Sequence, residues 1–316
     1  MRSNRSNIGL ADILVSRIMF LVRAVNLSIS YAIVTYPVID NWYDILLLKG
    51  GARTEVKIRL RRANSRRRGI SSYALRLRKL LLPSRGTFES IGNGICSVDY
   101  LGKTVRFSYA NGKQLLDVVQ LVTDQFMLDQ YQWLKPNGKE IVDIGACIGD
   151  TAIYFAMNGA RHVYSFEPYP YSFRIARKNI RLNGMSNRIT LLNEGCGARN
   201  CTIAVNEGFE SDELSSIRDF GKGKRISMVT LEGIVKRYGL EDALLKIDCE
   251  GSEYGIIIGA DKGTLRKFSK MMIEYHNGYR NLKEKLESAG FSVSVEPPTY
   301  LANRKVYFGF LFARRI

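Results

Sequence analysis

Three short stretches gather the side chains able to hold positive charge or move protons. "VDIGACIGDT" sets Asp143 and Asp150 on either side of two glycines, Gly145 and Gly149, four residues apart. "KIDCEGSEY" brings Asp248, Glu250 and Glu253 together, and "MIEYHNG" carries Glu274 and His276. Carboxylates at this density suit two kinds of work: attracting a cationic ligand, and taking a proton from a reacting hydroxyl. A further acid, Glu167, closes "VYSFEP" 22 residues after Gly145.

The glycine loop follows an apolar run, Ile141–Ile144, and leads into a helical pattern at Asp150–Met157. Glycine lets backbone approach a ligand closely, and a helix start points free N–H groups the same way. Gly145-Ala146-Cys147-Ile148-Gly149 lacks the spacing of a pyrophosphate loop. Asp143 and Asp150 would also repel a diphosphate. A ligand carrying a cation suits the loop better. At the end of the next strand, Glu167 can accept both ribose hydroxyls of a nucleoside lying across the strand ends. A nucleoside with a positive tail is S-adenosyl-L-methionine, whose sulfonium and ammonium are both cationic. The rival reading, a tight strand–helix turn with no ligand, explains the glycines but leaves Glu167 without a reason.

Four blocks in order, "VDIGACIGDTAIYFA", "VYSFEPYPYSFRIARKNIRLNG", "LLKIDCEGSEYGII" and "MIEYHNG", resemble the FkbM-type family of S-adenosylmethionine-dependent methyltransferases, over about Asp129 to Phe291. The resemblance implies an α/β class: a Rossmann-like class I methyltransferase fold whose mainly parallel seven-stranded sheet ends in an antiparallel strand. It implies methyl transfer to a hydroxyl, often on a sugar or glycan. It also places the cofactor against Asp143, Gly145, Ala146, Gly149, Asp150 and Thr151, with its ribose at Glu167 and Pro168 and its adenine at Asn193–Glu194. The sequence departs from the family pattern at Cys147, where Asn is common, and at "NEGCG", where a small residue usually follows the Asn.

Methyl transfer from a sulfonium is an in-line displacement, so the acceptor oxygen must be aligned, water excluded and a proton removed. Asp248 and Glu250 alternate in direction if their strand persists, one toward the cofactor and one toward the acceptor. Either is the preferred base, with His276 third on the strength of its ordinary pKa. A histidine after a strand also serves as a structural hydrogen-bonder. Glu253, in a first helical turn, reads as an acid complementing the helix dipole. Asp248, Glu250 and His276 offer an alternative role as ligands of a divalent metal that activates the alcohol. No spacing fixes that geometry, and no metal site is assigned. "EPPTY" (296–300) resembles the Asn/Asp-Pro-Pro-aromatic motif of amino-group methyltransferases, but that motif belongs after the fourth strand, where this chain has "DCEGSEY". It reads as a rigid turn, which weighs against base N-methylation.

The elements that must position these residues follow from periodicity. Strands are expected at Ile141–Ile144, Val163–Phe166, Ile189–Leu192, Ala243–Ile247, Met271–Glu274, Phe291–Val295 and Val306–Phe312, with short candidates at Cys201–Val205 and Ser227–Thr230. Helices are expected at Asp150–Met157, Pro170–Leu182, Leu231–Tyr238, Glu253–Gly259 and Gly278–Ala289. Such alternation means a mainly parallel sheet covered on both faces. Upstream, "CSVDYLGKTVRFSYANG" reads as a hairpin turning at Leu101–Lys103, and Gln114–Trp133 as a helix.

Charge divides the chain differently. Of the net +17, residues 1–85 supply a surplus of 13 and residues 86–316 only 4. The expected organisation is a basic, partly helical extension (1–85), a hairpin and helix (86–130), and the cofactor-binding domain (131–316). The basic end, with "RLRRANSRRRG", seeks phosphate, anionic lipid or an acidic partner. Its cluster lacks interleaved aromatics, so a base-stacking RNA surface is the lesser expectation. The N-terminal apolar run, Ala24 to Ile39, is too short and polar to span a membrane. Asp12, Ser16, Arg23, Asn26 and Ser30 instead follow helical spacing, leaving opposite them a wide apolar face that packs on the protein or lies on a membrane surface. Five cysteines without a CxxC pair, and only two histidines, give no zinc spacing and suit a reduced, cytoplasmic protein, peripheral to a membrane at most. The expected acceptor is a sugar or glycan, with RNA as the alternative.

Overall fold

A computed structural model of the chain describes residues 55–57, 86–205, 221–276, 278–296, 298–301 and 306–316. The expected amphipathic helix within residues 1–54 and the basic cluster of residues 58–85 lie outside these. The chain divides into two compact units, one ending at Gln132 and the other running from Trp133 to Ile316.

The first unit holds an antiparallel sheet in the order β1 (Glu55–Lys57), β2 (Gly86–Gly92), β3 (Ile95–Tyr100) and β4 (Lys103–Ser108). The β3–β4 hairpin turns through Leu101 and Gly102 at φ +54° and +72°, the mirror-image turn that matches strand twist. Helix α1 (Gly112–Val122) starts where Asn111 Oδ1 accepts the Gln114 N–H at 3.0 Å. It passes into a π-helical turn, Thr123–Met127, and ends at Asp129 with φ +48°. The helix expected to reach Trp133 therefore stops short. Asp129 gains a partner there, since the Tyr100 hydroxyl donates to its Oδ1 at 3.1 Å while the Tyr100 ring meets Phe126 edge-on.

The second unit is built on β5 (Glu140–Ile144), α2 (Asp150–Met157), β6 (His162–Phe166), α3 (Pro170–Leu182), β7 (Ile189–Leu192), β8 (Gly195–Cys196), β9 (Cys201–Val205), β10 (Lys224–Val229), α4 (Leu231–Tyr238), β11 (Ala243–Ile247), α5 (Glu253–Gly259), α6 (Lys262–Leu265), β12 (Phe268–His276), α7 (Arg280–Ser288), β13 (Phe291–Val295), β14 (Thr299–Leu301) and β15 (Val306–Arg315). Seven strands lie side by side in the order β13-β15-β12-β11-β5-β6-β7, with β14 added against β15. From β12 to β7 every pairing is parallel, and β15 runs antiparallel to both β12 and β13. This is the class I methyltransferase arrangement. All five residues of β11 are buried, as a central parallel strand covered on both faces requires.

The two short strand candidates do not join this sheet. They become β9 and β10 of a separate three-stranded sheet with β8. The late antiparallel pairing depends on a small residue: Tyr275 of β12 faces Gly309 of β15, and its hydroxyl lies 2.6 Å from where a Gly309 Cβ would stand. That hydroxyl donates to the Glu296 carbonyl at 3.0 Å, so the "EPPTY" segment is tied to β12 away from the cofactor loop.

Candidate active site

The chain runs outward from β5 through β6 to β7 and then returns to β11, so the strand order reverses between β5 and β11. Ligands of open parallel sheets sit at the strand ends beside such a reversal. Gly145 leaves β5 and Asp248 leaves β11 at that point, and the Asp248 N–H donates to the Ile144 carbonyl at 3.0 Å. Gly145 has φ +83°, and a Cβ there would stand 1.8 Å from the Asp248 carbonyl oxygen. Gly149 also has φ +83° and faces Ala176 of α3 at 3.3 Å. The glycines expected to admit a ligand thus admit the chain's own backbone first, closing the floor of the crevice.

Asp143 is wholly buried and belongs to that floor. Its Oδ2 accepts from Thr151 Oγ1 at 2.9 Å and Ser165 Oγ at 3.1 Å. Its Oδ1 makes no well-directed hydrogen bond but stands 3.1 Å from Nζ of Lys246, an ion pair by distance. Lys246 lies opposite Asp143 in the β11–β5 register and donates to the Gly145 carbonyl at 2.6 Å. Burial pulls its pKa down, but Asp143, Asp248 and Asp150 outweigh that and hold the ammonium charged. The loop is therefore less negative than two bare carboxylates would make it. A lysine inside the apolar run "ALLKI" was the visible signal of this ion pair, and sequence reasoning passed over it.

Asp150 and Glu167 carry the cofactor expectation. Asp150, at the start of α2, is buried, and its Oδ1 has no hydrogen-bond partner. Burial, opposed by Lys246 and supported by Asp143, pushes its pKa up to about 7. A cationic group would satisfy that orphaned oxygen and restore its charge. Glu167 faces the loop: Oε2 accepts the Cys147 N–H and Oε1 the Tyr169 N–H, both at 2.9 Å. Each oxygen keeps a second lone pair for a ribose hydroxyl. Burial raises this carboxyl to about 7 as well. These residues fit a sulfonium nucleoside. Ala146 is buried in the loop. Asn193 donates from Nδ2 to the carbonyls of Glu167 and Pro168, both at 2.9 Å, tying the end of β7 to that of β6. Glu194 pairs instead with Arg237 of α4 at 2.7 Å.

The residues expected on the acceptor side lie at the ends of β11 and β12. The expected alternation of Asp248 and Glu250 does not occur, because β11 stops at Ile247 and Glu250 turns back at φ +52°. The turn instead brings Glu250 Oε2 to 3.4 Å from Nε2 of His276. Glu274 Oε1 is 3.7 Å from the same nitrogen. Glu253, expected to serve only the helix dipole, is fully buried. Its Oε1 accepts the His276 N–H at 2.8 Å and lies 3.2 Å from Nδ1, while Oε2 accepts the Gly251 N–H at 2.7 Å. Burial lowers the pKa of His276, but Glu253, Glu274 and Glu250 together raise it to about 9. An imidazole at its ordinary pKa was the reason to consider His276 as a base; here it is a cation at neutral pH. Glu274 is pushed well above the carboxylate range by burial and by Asp248, with His276 pulling the other way.

Comparison with known proteins finds similarity to methyltransferases. Residues 143–293 match the FkbM methyltransferase domain. A 31-O-demethyl-FK506 methyltransferase, FkbM, from Streptomyces tacrolimicus is 24% identical over 241 residues, covering 65% of this chain and 92% of its own. Methyltransferase 1 of Beauveria bassiana is 24% identical over 221 residues, covering 61% and 88%. Among solved structures, M. capricolum TrmK in complex with S-adenosylhomocysteine aligns over 60% of this chain and 68% of its own, with 17% identity and a TM-score of 0.38. With its strand order and the reversal at Gly145 and Asp248, the chain carries an FkbM methyltransferase domain over residues 143–293 and is an S-adenosylmethionine-dependent methyltransferase.

Proposed function

We propose that the protein methylates a hydroxyl of a sugar, glycan or glycolipid. One observation carries this reading: the acceptor side of the crevice is lined by Asp248, Glu250 and Glu274 around a charged His276, a proton-accepting environment that an alcohol needs. The named relative acting at an oxygen, the 31-O-methyltransferase, is in keeping with it. The bound cofactor supplies a methyl carbon made electrophilic by the adjacent sulfonium. The residues around the crevice would have to hold the acceptor oxygen in line with that carbon and its leaving sulfur and keep water out. Glu250, the more accessible carboxylate beside His276, takes the hydroxyl proton, while the His276 cation holds Glu250 in place. Asp248 fixes the floor through its backbone.

An anionic membrane surface or lipid-linked acceptor is the partner that best suits the exposed face of α3, where Arg174, Arg177, Lys178 and Arg181 line one open groove. No helix among the described residues is long and apolar enough to cross a membrane. The test is labelled-methyl transfer into lipid, glycan and RNA fractions. Label in the saccharide-bearing fractions, with Glu250→Gln lowering kcat about 10²- to 10⁴-fold at unchanged cofactor affinity, is the expected result. Label confined to RNA or protein would overturn the reading.

A further inference from the structure

The edge formed by the ends of β11 and β12 holds more than a proton acceptor needs. One ligand-type atom from each of Asp248, Glu274 and His276 lies within 4.8 Å of the others. In an octahedral site with bonds of about 2.1 Å, opposite ligand atoms stand about 4.2 Å apart. Adjacent ligand atoms in such a site stand about 3.0 Å apart, and Glu274 Oε1 already lies 3.7 Å from His276 Nε2, so rotamer adjustment of the carboxylates would complete the closure.

A second, separate feature prepares the histidine. Glu253 lies outside this trio, wholly buried, and engages Nδ1 at 3.2 Å while also fixing the backbone of His276. A carboxylate on the far ring nitrogen sets the tautomer and aim of a metal-bound imidazole. It leaves Nε2 as the nitrogen facing Glu250 at 3.4 Å and Glu274 at 3.7 Å. Two carboxylates and one imidazole on rigid strand ends suit a first-row divalent ion such as Mn²⁺ better than Ca²⁺ or Mg²⁺, which favour all-oxygen sites. The same edge abuts the cofactor loop, because the Asp248 carbonyl packs directly on Gly145.

We infer that Asp248, Glu274 and His276 Nε2 form a binding site for one first-row divalent cation, which displaces the Nε2 proton on binding, with Glu253 as the residue that positions the histidine. The ion's role, coordinating the acceptor hydroxyl and stabilising the alkoxide as its proton leaves to Glu250, rests on the hydroxyl-transfer reading; the site itself does not.

The test is to strip the full-length protein of metal and titrate it with Mn²⁺, following loss of the free-ion electron paramagnetic resonance signal. S-adenosylmethionine affinity is measured by calorimetry on the same samples. The expected result is uptake of one Mn²⁺ per chain, weakened at least tenfold by Asp248→Asn and by Glu274→Gln. Glu253→Gln should weaken it about 10- to 100-fold without removing a ligand. Both ligand variants are near-isosteric, and thermal melts establish that they fold. No uptake by the unsubstituted protein, or uptake indifferent to both ligand variants, overturns the site. Failure to bind the cofactor would instead count against the methyltransferase reading and leave the metal titration to stand by itself.

Discussion

Glu253 holds His276 at two points, accepting its backbone N–H at 2.8 Å and facing its Nδ1 at 3.2 Å from a single oxygen. One carboxylate thus sets both where β12 ends and which way the imidazole looks. Its other oxygen fixes the turn at Gly251. Replacing Glu253 by Ala strands buried donors on three groups, each costing about 1–3 kcal/mol. We expect Glu253→Ala to lose at least about 3 kcal/mol in urea unfolding, and Glu253→Gln, which keeps one of the two acceptor oxygens, to lose less. Equal losses would show that hydrogen bonding is not what Glu253 contributes.

Glu167→Ala should weaken S-adenosylmethionine binding by about tenfold or more in calorimetry, since it removes the carboxylate expected to accept the ribose hydroxyls and frees the Cys147 N–H. Unchanged affinity would displace Glu167 from the cofactor site.

Asp150 has its folded-state carboxyl at about 7, above the unfolded value of about 3.9. A raised acid favours the protonated folded state, so its cost is absent below the unfolded pKa, grows as pH rises through the window between the two values, and is constant above about 7. In the cofactor-free protein, Asp150→Asn should therefore gain stability relative to the unsubstituted chain between pH 5 and pH 8, read as a difference in melting temperature. Cofactor binding reverses the sign, because a cation favours the ionised acid: affinity should climb with pH through about 7 and then level off, and the climb should shrink in Asp150→Asn.

Gly145→Ala places a methyl group where the Asp248 carbonyl stands, 1.8 Å away, at a positive φ that alanine resists. It should cost upward of about 3 kcal/mol and abolish cofactor binding. Gly149→Ala meets only 3.3 Å contacts with Ala176 and should be the milder of the two by melting temperature.

Cys147 is the opposite case. It sits at φ +46°, where Asn is tolerated far better than other side chains. Its functional contact with Glu167 is through the backbone N–H, which substitution preserves. Cys147→Asn should raise unfolding free energy by about 0.5–1 kcal/mol without weakening the cofactor site. A lower melting temperature would argue against strain at this turn.

The parallel core was legible because its strands are short apolar runs spaced by amphipathic helices, and the glycine loop with Glu167 marked its ligand edge. What escaped was set by contacts between elements distant in sequence. Lys246 reads as an interruption in an apolar strand until β5 is laid beside it and Asp143 appears opposite. Glu253 reads as a first-turn acid because helix position is local information, whereas its partner is 23 residues away on another strand. Glu250 was expected to continue a strand; a positive φ at a non-glycine residue leaves little trace in composition. The histidine's shift depends on three carboxylates that meet only in the folded chain.

β15 inserts between β12 and β13, so residues 306–315 complete the interior of the sheet after both neighbours have been made. During synthesis, the strand bearing Glu274 and His276 has one open edge until those residues leave the ribosome. A nascent chain ending before residue 306 would hold its glycine loop and still lack the strand that pairs with β12 alongside Glu274 and His276.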